Sequence, residues 1–338
     1  MPRPILNPPN PYLTREVEWL GQPPMARVQV FEETARTLLN RNDSEDVPFV
    51  WSGNPYRGCA HACAYCYART THQYLDWGAG SDFETKLVIK RNAPELLAKE
   101  LSRRGWKREW ILFSGNTDCY QPIEANYRLT RRCLEVARAR ANATAIITKS
   151  ALVARDVDVL ADLARGPGVR VIFSIPFIDP DHARAVEPGA PTPATRLRAM
   201  RKLVDAGIPC GLAFAPLIPG LNEDQIPAVL EAAKEAGAER AFLSLLRLPD
   251  TVREVFHERM EARLPLRVKK IRNAFEDMRQ GQRNQQRPGE RMRGRGPRWD
   301  LAADLFALHS RRLGMDGDDW SSLRANPETA RQEQGELF

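Results

Sequence analysis

The sequence predicts an α/β fold, a partial (β/α)6 TIM-like barrel with an N-terminal arm and a helical C-terminal extension. Three observations predict it. Six short apolar runs of buried-strand type recur through the middle of the chain, separated by amphipathic stretches of helical length; that alternation is the mark of βα units on a parallel sheet. Right-handed crossovers curl such a sheet into a barrel or part of one. Polar turns bearing glycine, serine or lysine follow the runs, at the strand ends where barrels of this kind carry their chemistry.

The elements follow in order. Residues 1–45 are proline-rich and then mixed, and read as an extended arm with a short helix over Ala35 to Asn40. Residues 46–250 form the barrel. Its strand-type runs are Pro48 to Trp51, Trp110 to Phe113, Thr144 to Thr148, Val169 to Ile175, Gly211 to Ala215 and Ala241 to Leu246. Helices are expected over 93–103, 124–140, 152–164, 193–206 and 223–236. Thr192 before Pro193 is an N-cap followed by proline at the first helical position. Gly207 and Gly237 stand where helices end. Residues 251–338 form the extension, with helices over 253–262, 266–279 and 300–313. Between the last two lies a loop rich in Gly and Arg: Arg283, Arg287, Arg291, Arg293, Arg295 and Arg298.

A chain of 338 residues with 43% hydrophobic and 28% charged content is an ordinary globular composition. No apolar run is long enough to span a bilayer, and the proline-studded N-terminus lacks the apolar core of a secretory signal. Three of the six cysteines, Cys119, Cys133 and Cys210, are scattered, which suits free thiols in a reducing cytoplasm. The net charge of +7 is compatible with a nucleic-acid partner.

The other three cysteines crowd one loop. Cys59, Cys63 and Cys66 are spaced C-x3-C-x2-C directly after the first strand. Iron–sulfur clusters are normally held by four Cys; three leave one iron free for a ligand that is not protein, much as an open catalytic metal site differs from a closed structural one. The alternative is structural zinc with His61 or His72 as fourth ligand, although no second ligand pair at zinc spacing exists. Ser114-Gly115-Asn116-Thr117-Asp118 after the second strand is small and polar enough for backbone to approach a ligand, or is an ordinary turn with Asp118 satisfying N–H groups.

The cysteine loop resembles the signature of the radical S-adenosylmethionine enzymes. Several further motifs narrow the resemblance to the spore photoproduct lyase-related branch, often described as DNA repair photolyase-like. They are Asn54-Pro55-Tyr56-Arg57-Gly58-Cys59, Thr117 to Glu124, Ile147-Thr148-Lys149-Ser150, Glu187 to Pro191 followed by Arg196-Leu197, and Ala215 to Asn222. Their order along residues 40–313 is more specific than any one of them.

The resemblance implies a barrel of the radical SAM type, with a [4Fe–4S] cluster on Cys59, Cys63 and Cys66. S-adenosyl-L-methionine would be chelated at the open iron and cleaved to a 5′-deoxyadenosyl radical. It implies that the turn at Ser114, Gly115, Asn116 and Asp118 meets the methionyl amino group. Lys149 and Ser174 become candidates for the carboxylate and ribose, and Arg196 for a second anion contact. Tyr65 and Tyr67 flank the last cluster cysteine, where the lyase carries its radical relay; packing of the loop is the other reading. Cys119 is the candidate hydrogen-atom donor, a few residues later than the lyase pattern sets it. The implied activity is lyase-like DNA-lesion repair in the cytoplasm, fed by a reducing donor such as flavodoxin or ferredoxin. Radical modification of RNA or protein is the alternative; a nucleic-acid-binding protein with a structural metal site is the alternative of another class.

Two basic or apolar features point to macromolecular partners. The Arg-rich loop offers salt-dependent, sequence-independent affinity for a phosphate backbone. The ending Gln334-Gly335-Glu336-Leu337-Phe338 resembles the peptide that docks bacterial repair proteins on the sliding clamp, with Gln334, Leu337 and Phe338 as anchors.

Overall fold

In the computed structural model the described residues are 27–44, 46–280 and 290–316. They form, in chain order, β1 (Gln29–Glu33), β2 (Leu39–Arg41), β3 (Trp51–Gly53), β4 (Tyr56–Arg57), α1 (Ser81–Thr85), β5 (Lys86–Lys90), α2 (Ala93–Leu101), β6 (Ile111–Phe113), α3 (Glu124–Tyr127), α4 (Leu129–Ala139), β7 (Thr144–Thr148), α5 (Val157–Arg165), β8 (Val169–Ser174), α6 (Pro180–Val186), α7 (Pro193–Asp205), β9 (Cys210–Leu217), α8 (Ile226–Glu235), β10 (Arg240–Leu245), α9 (Asp250–Arg263), α10 (Val268–Arg279) and α11 (Pro297–Arg312).

One sheet runs in the order β10-β9-β8-β7-β6-β3-β2, and every pair from β3 to β10 is parallel. These six strands are the six expected apolar runs, and the sheet is the partial barrel. Strands β6 to β9 are largely buried on both faces, with helices covering the outside, so they read as continuous apolar runs rather than alternating ones, whereas β10 at the sheet edge is half-buried. Phe113, Ile146, Phe173, Leu212 and Phe214 fill the main core with Leu134, Leu160, Leu203 and Leu230 of the covering helices. Thr192 caps α7 by accepting from the Thr195 N–H at 3.3 Å. Gly207 and Gly237 follow α7 and α8 in the left-handed region, at φ 76° and 93°.

The arm departs from expectation. Ala35 to Asn40 is not helical: Leu39–Arg41 is β2, antiparallel to β3. The Glu100 carboxylate accepts from the backbone N–H groups of Leu38 and Leu39 at 3.1 and 3.0 Å, holding that segment extended. The stretch 124–140 is two helices, broken at Arg128 with φ 52°. Glu124 breaks it, because its carboxylate turns back to accept from the N–H groups of Thr130 and Arg131 and so caps α4. A second sheet, β1-β5-β4, had no counterpart in the sequence reading. Its strands β4 and β5 lie within the first crossover and carry the chain into and out of the cysteine loop, while β1 joins them from the N-terminal arm.

A separate apolar cluster joins Cys63, Ala64 and Tyr65 to Phe177, Val186 and Ile218, and to Val252, Phe256, Met260 and Ile271 of α9 and α10. The C-terminal helices therefore pack on the cysteine loop itself. Among the described residues no helix is long and apolar enough to cross a membrane. Gln334, Leu337 and Phe338, the expected clamp anchors, and Arg283 and Arg287 of the Arg-rich loop lie outside the described residues.

Candidate functional site

The cysteine loop leaves β4 through Gly58, whose φ of +72° and close neighbours (the Phe83 carbonyl oxygen 2.9 Å from where a Cβ would stand) admit no side chain. Cys59 and Cys63 are buried, Cys66 is partly so, and all three are free thiols. Burial pushes their pKa values up, Cys63 to about 12, with Glu187 adding to the rise; a bound metal reverses this by holding the thiolate.

The loop is pinned from three directions. The Ala64 N–H donates to the Val186 carbonyl at 2.8 Å, and the Gly189 N–H donates to the His61 carbonyl at 3.0 Å. Arg69, fully buried, donates through Nε and Nη2 to the Cys63 carbonyl at 3.1 and 2.8 Å. Arg259 of α9 donates to the Ala62 carbonyl and, with Arg69, to Glu84.

The strand-end turns close around it. After β6, the Ser114 hydroxyl donates to the Ile147 carbonyl at 2.5 Å, and the Gly115 carbonyl accepts from the Tyr67 hydroxyl. Asn116 donates its N–H back to the Ser114 carbonyl at 2.5 Å. Asp118 accepts from the Thr148 hydroxyl and the Lys149 N–H, both at 2.7 Å, and from the Tyr120 N–H at 2.9 Å. His61 Nδ1 stands 3.3 Å from its other face. Burial pushes the Asp118 pKa up, but His61 and these donors outweigh it and hold the carboxyl at about 2. Asp118 thus ties the cysteine loop to two strand-end turns.

After β7 comes Lys149. Its ammonium lies 5.6 Å from the Tyr65 ring centroid, and it has no hydrogen-bond or ion-pair partner among the described residues. Burial lowers its pKa, yet the charges of Glu187 and Cys63 more than offset this and raise it. It is a cation held beside the cysteine loop with its donors open. At the end of β8 the Ser174 hydroxyl donates to the Ala215 carbonyl at 2.8 Å. Arg196, 1% exposed, spends its fork on Pro191 O, Ser174 O and the Glu187 carboxylate at 2.8, 2.8 and 2.5 Å. Glu187 also accepts from the Tyr65 hydroxyl.

The residues named from sequence therefore converge, except in two respects. Cys119 is 0% exposed inside the main core, beneath Ser114 Oγ at 3.3 Å, rather than at the barrel mouth. The two tyrosines diverge: Tyr65 is buried against Glu187, and Tyr67 is 48% exposed at the rim. Residues not foreseen are Glu187 as a partner, Arg69, Glu84, Arg259 and Arg247. Arg69 had a faint signal, a cation three residues past the last cysteine. Arg247 follows β10, and its Nε is buried without a partner.

The donor set fits a cluster. Three free thiols come from one loop whose carbonyls are turned away into Arg69 and Arg259. Among the described residues no three His, Cys, Asp or Glu side chains converge as a single metal ion needs; a cube sets each thiolate on a different iron, so its ligands stand farther apart. The expected zinc alternatives do not assemble. His72 directs Nε2 to the Lys86 carbonyl at 2.8 Å, and burial lowers its pKa to about 4, while His61 faces Asp118.

Comparison with known proteins gives the same region. Residues 54–233 match the Radical SAM superfamily. The uncharacterized protein Rv2578c of Mycobacterium tuberculosis is 37% identical over 212 residues, 61% of this chain and 62% of that protein. The chain thus spans less than two thirds of that relative's length. The uncharacterized protein MJ0683 of Methanocaldococcus jannaschii is 30% identical over 196 residues, 58% of this chain and 70% of that protein. Among solved structures, spore photoproduct lyase complexed with dinucleoside spore photoproduct aligns with TM-score 0.63 and 18% identity, covering 85% of this chain and 80% of that one. That likeness carries the fold.

Proposed function

The chain belongs to the Radical SAM superfamily, whose members use a [4Fe–4S] cluster and S-adenosylmethionine, and on that premise we propose that it is a lyase-like radical enzyme acting on damaged DNA. Cys59, Cys63 and Cys66 would hold the cluster. When bound, the cluster and S-adenosylmethionine supply a 5′-deoxyadenosyl radical.

The observation that carries this reading is Lys149. A half-buried cation with no hydrogen bond or ion pair among the described residues, set beside the three thiols, calls for an anion from outside the chain. Lys is a compact charge suited to the carboxylate of the methionyl group. The Ser114-Gly115-Asn116 turn is tied to the same region, through Tyr67 on the Gly115 carbonyl and through Ser114 on the Ile147 carbonyl. The Ser174 hydroxyl donates to Ala215 and retains lone pairs to accept from a ribose hydroxyl. Arg196 contributes through Glu187 and Tyr65, since its own donors are engaged. Tyr67, exposed at the rim with its hydroxyl on Gly115, is the residue of the chain best set to pass a hydrogen atom to a substrate radical; buried Cys119 is not assigned that step.

The substrate class rests on the lyase likeness and on charge at the rim. Arg247 follows β10 with Nε unpaired, near Arg291 and electrostatically coupled to Tyr67. Burial and Arg291 lower its pKa, with Asp46 opposing them, so a further anion there would be stabilising. A phosphodiester supplies one. Among the described residues of the Arg-rich loop three arginines are engaged: Arg291 pairs with Asp46, Arg295 with Glu290 and Arg298 with Glu223.

The test is anaerobic reconstitution followed by dithionite and S-adenosylmethionine. About four irons per chain and 5′-deoxyadenosine are expected; a chain that takes up no iron would end the proposal. Deuterium passing between lesion-bearing DNA and the 5′ carbon supports the DNA reading. The same transfer with tRNA or a peptide, and none with DNA, replaces it with the RNA or protein alternative. Two variants sharpen it. Lys149→Met is expected to raise the KM for S-adenosylmethionine roughly 10- to 100-fold, the worth of about 1.5–3 kcal/mol for a charge-assisted hydrogen bond, with iron content unchanged. Arg247→Met is expected to weaken DNA binding and lower the salt slope by about one, read by titration at several salt concentrations.

A further inference from the structure

A buried charge cluster lies directly under the cysteine loop, and none of the steps assigned above uses it. Glu84, at 3% exposure, accepts from two guanidinium groups, those of Arg69 (0%) and Arg259 (3%). Two cations share one carboxylate, so the group carries one surplus positive charge away from water. Arg69 grips the Cys63 carbonyl twice, and the Ala79 and Gly80 carbonyls at 3.0 and 2.9 Å. Arg259 grips the Ala62 carbonyl, across 197 residues of sequence. Its Nε is buried without a partner. Burial and the neighbouring Arg69 lower its pKa to about 10, so it stays charged at neutral pH.

Resting on the radical SAM reading of the cysteine loop, we propose that Arg69, Glu84 and Arg259 are positioning residues. They fix the loop carbonyls of Ala62 and Cys63, and with their surplus positive charge raise the reduction potential of the cluster held there. Reduction adds one negative charge to the cluster, and a cation fixed nearby in a low-dielectric surrounding stabilises the reduced form. Because Arg259 is on α9, outside the barrel, the C-terminal helices supply half of the charge that sets the potential. Undocking of α9 would both loosen the loop and make the cluster harder to reduce.

The test is a redox titration of the full, reconstituted chain, followed by its electronic absorption and by electron paramagnetic resonance. Arg259→Met removes one cation and is expected to lower the reduced-to-oxidised ratio at fixed potential about tenfold, equal to about 59 mV for one electron. Glu84→Gln removes the anion and leaves both cations, so its shift is expected in the opposite direction. Arg259→Lys keeps the charge and is expected to remain near the wild-type midpoint. A merely structural role would degrade all three variants alike, whereas a charge role gives shifts of opposite sign. Shifts of the same sign in Arg259→Met and Glu84→Gln would overturn the inference, as would folded, iron-loaded variants with the wild-type midpoint. Failure of the wild-type chain to bind iron would instead overturn the cluster assignment, so the two failures are told apart.

Discussion

Gly189→Ala is expected to strip the cysteine loop of most of its iron. A Cβ on Gly189 would fall on the carbonyl oxygen of Ala60 and lie 3.1 Å from both the carbonyl carbon and the Cα of His61. All of these are backbone atoms of the cysteine loop, so no side chain can swing aside. Either the hydrogen bond from Gly189 N–H to His61 O opens, or the loop moves as a body. Overpacking of this kind costs about 1–3 kcal/mol in stability. The functional loss is larger, because a displacement of about 1 Å at a reacting centre costs on the order of a hundredfold. Iron and sulfide per chain after anaerobic reconstitution measure the first effect, and 5′-deoxyadenosine formation the second. A Gly189→Ala chain with full iron and wild-type turnover would show that the Glu187–Pro191 segment does not hold the loop.

Glu187→Gln is expected to be the most destabilising single change at the site, by about 3–5 kcal/mol. Glu187 is 1% exposed and Arg196 is 1% exposed. Removing the carboxylate charge leaves the guanidinium buried and uncompensated, leaves one amide oxygen where Tyr65 and Arg196 each had an acceptor, and removes an anion that raises the Lys149 pKa. The pH dependence follows. Burial pushes the Glu187 carboxyl pKa up, but Arg196 and Lys149 outweigh that and hold it below the ordinary value. A carboxyl with a depressed folded-state pKa contributes stability that is present above its unfolded pKa, about 4.3, and lost as pH falls through the folded value. Wild-type protein should therefore lose this contribution below about pH 4, and the Gln variant should lack that acid limb. Thermal melts from pH 7 down to 3 read both. A variant melting within a degree of wild type at neutral pH would contradict the argument.

How much of this was legible without coordinates depends on where each residue's partner lies. The three cysteines fall within eight residues, so their spacing alone carried the chemistry, and the structure adds only that they are free, with Cys59 and Cys63 buried and Cys66 partly so. Thr192 and Pro193 cap α7 with a partner three residues away. The six parallel strands were legible because the central ones, β6 to β9, are covered by helices and leave unbroken apolar runs. The break at Arg128 was not, since it depends on Glu124 folding back onto the N-terminus of α4. Nor was the extended run at Leu38 and Leu39, which is set by Glu100 from α2. Local propensity favoured helix in both places, and a carboxylate overrode it: a neighbouring one at Arg128, and one 61 and 62 residues away at Leu39 and Leu38.

The separation is clearest at the site. The chain by itself determined the βα alternation and the loop with three thiols, because those are written in periodicity and in neighbours along the backbone. Only the tertiary structure decided that Lys149 makes no hydrogen bond or ion pair among the described residues while Arg196 is fully engaged, although both are cations in recognisable motifs. It also decided that Cys119 is sealed in the core, and that Arg259 from a C-terminal helix grips the cysteine loop. The physical reason is that a charge's role is set by what lies within a few ångströms of it. Packing of α9 against a loop nearly two hundred residues earlier creates that neighbourhood, and no local pattern encodes it.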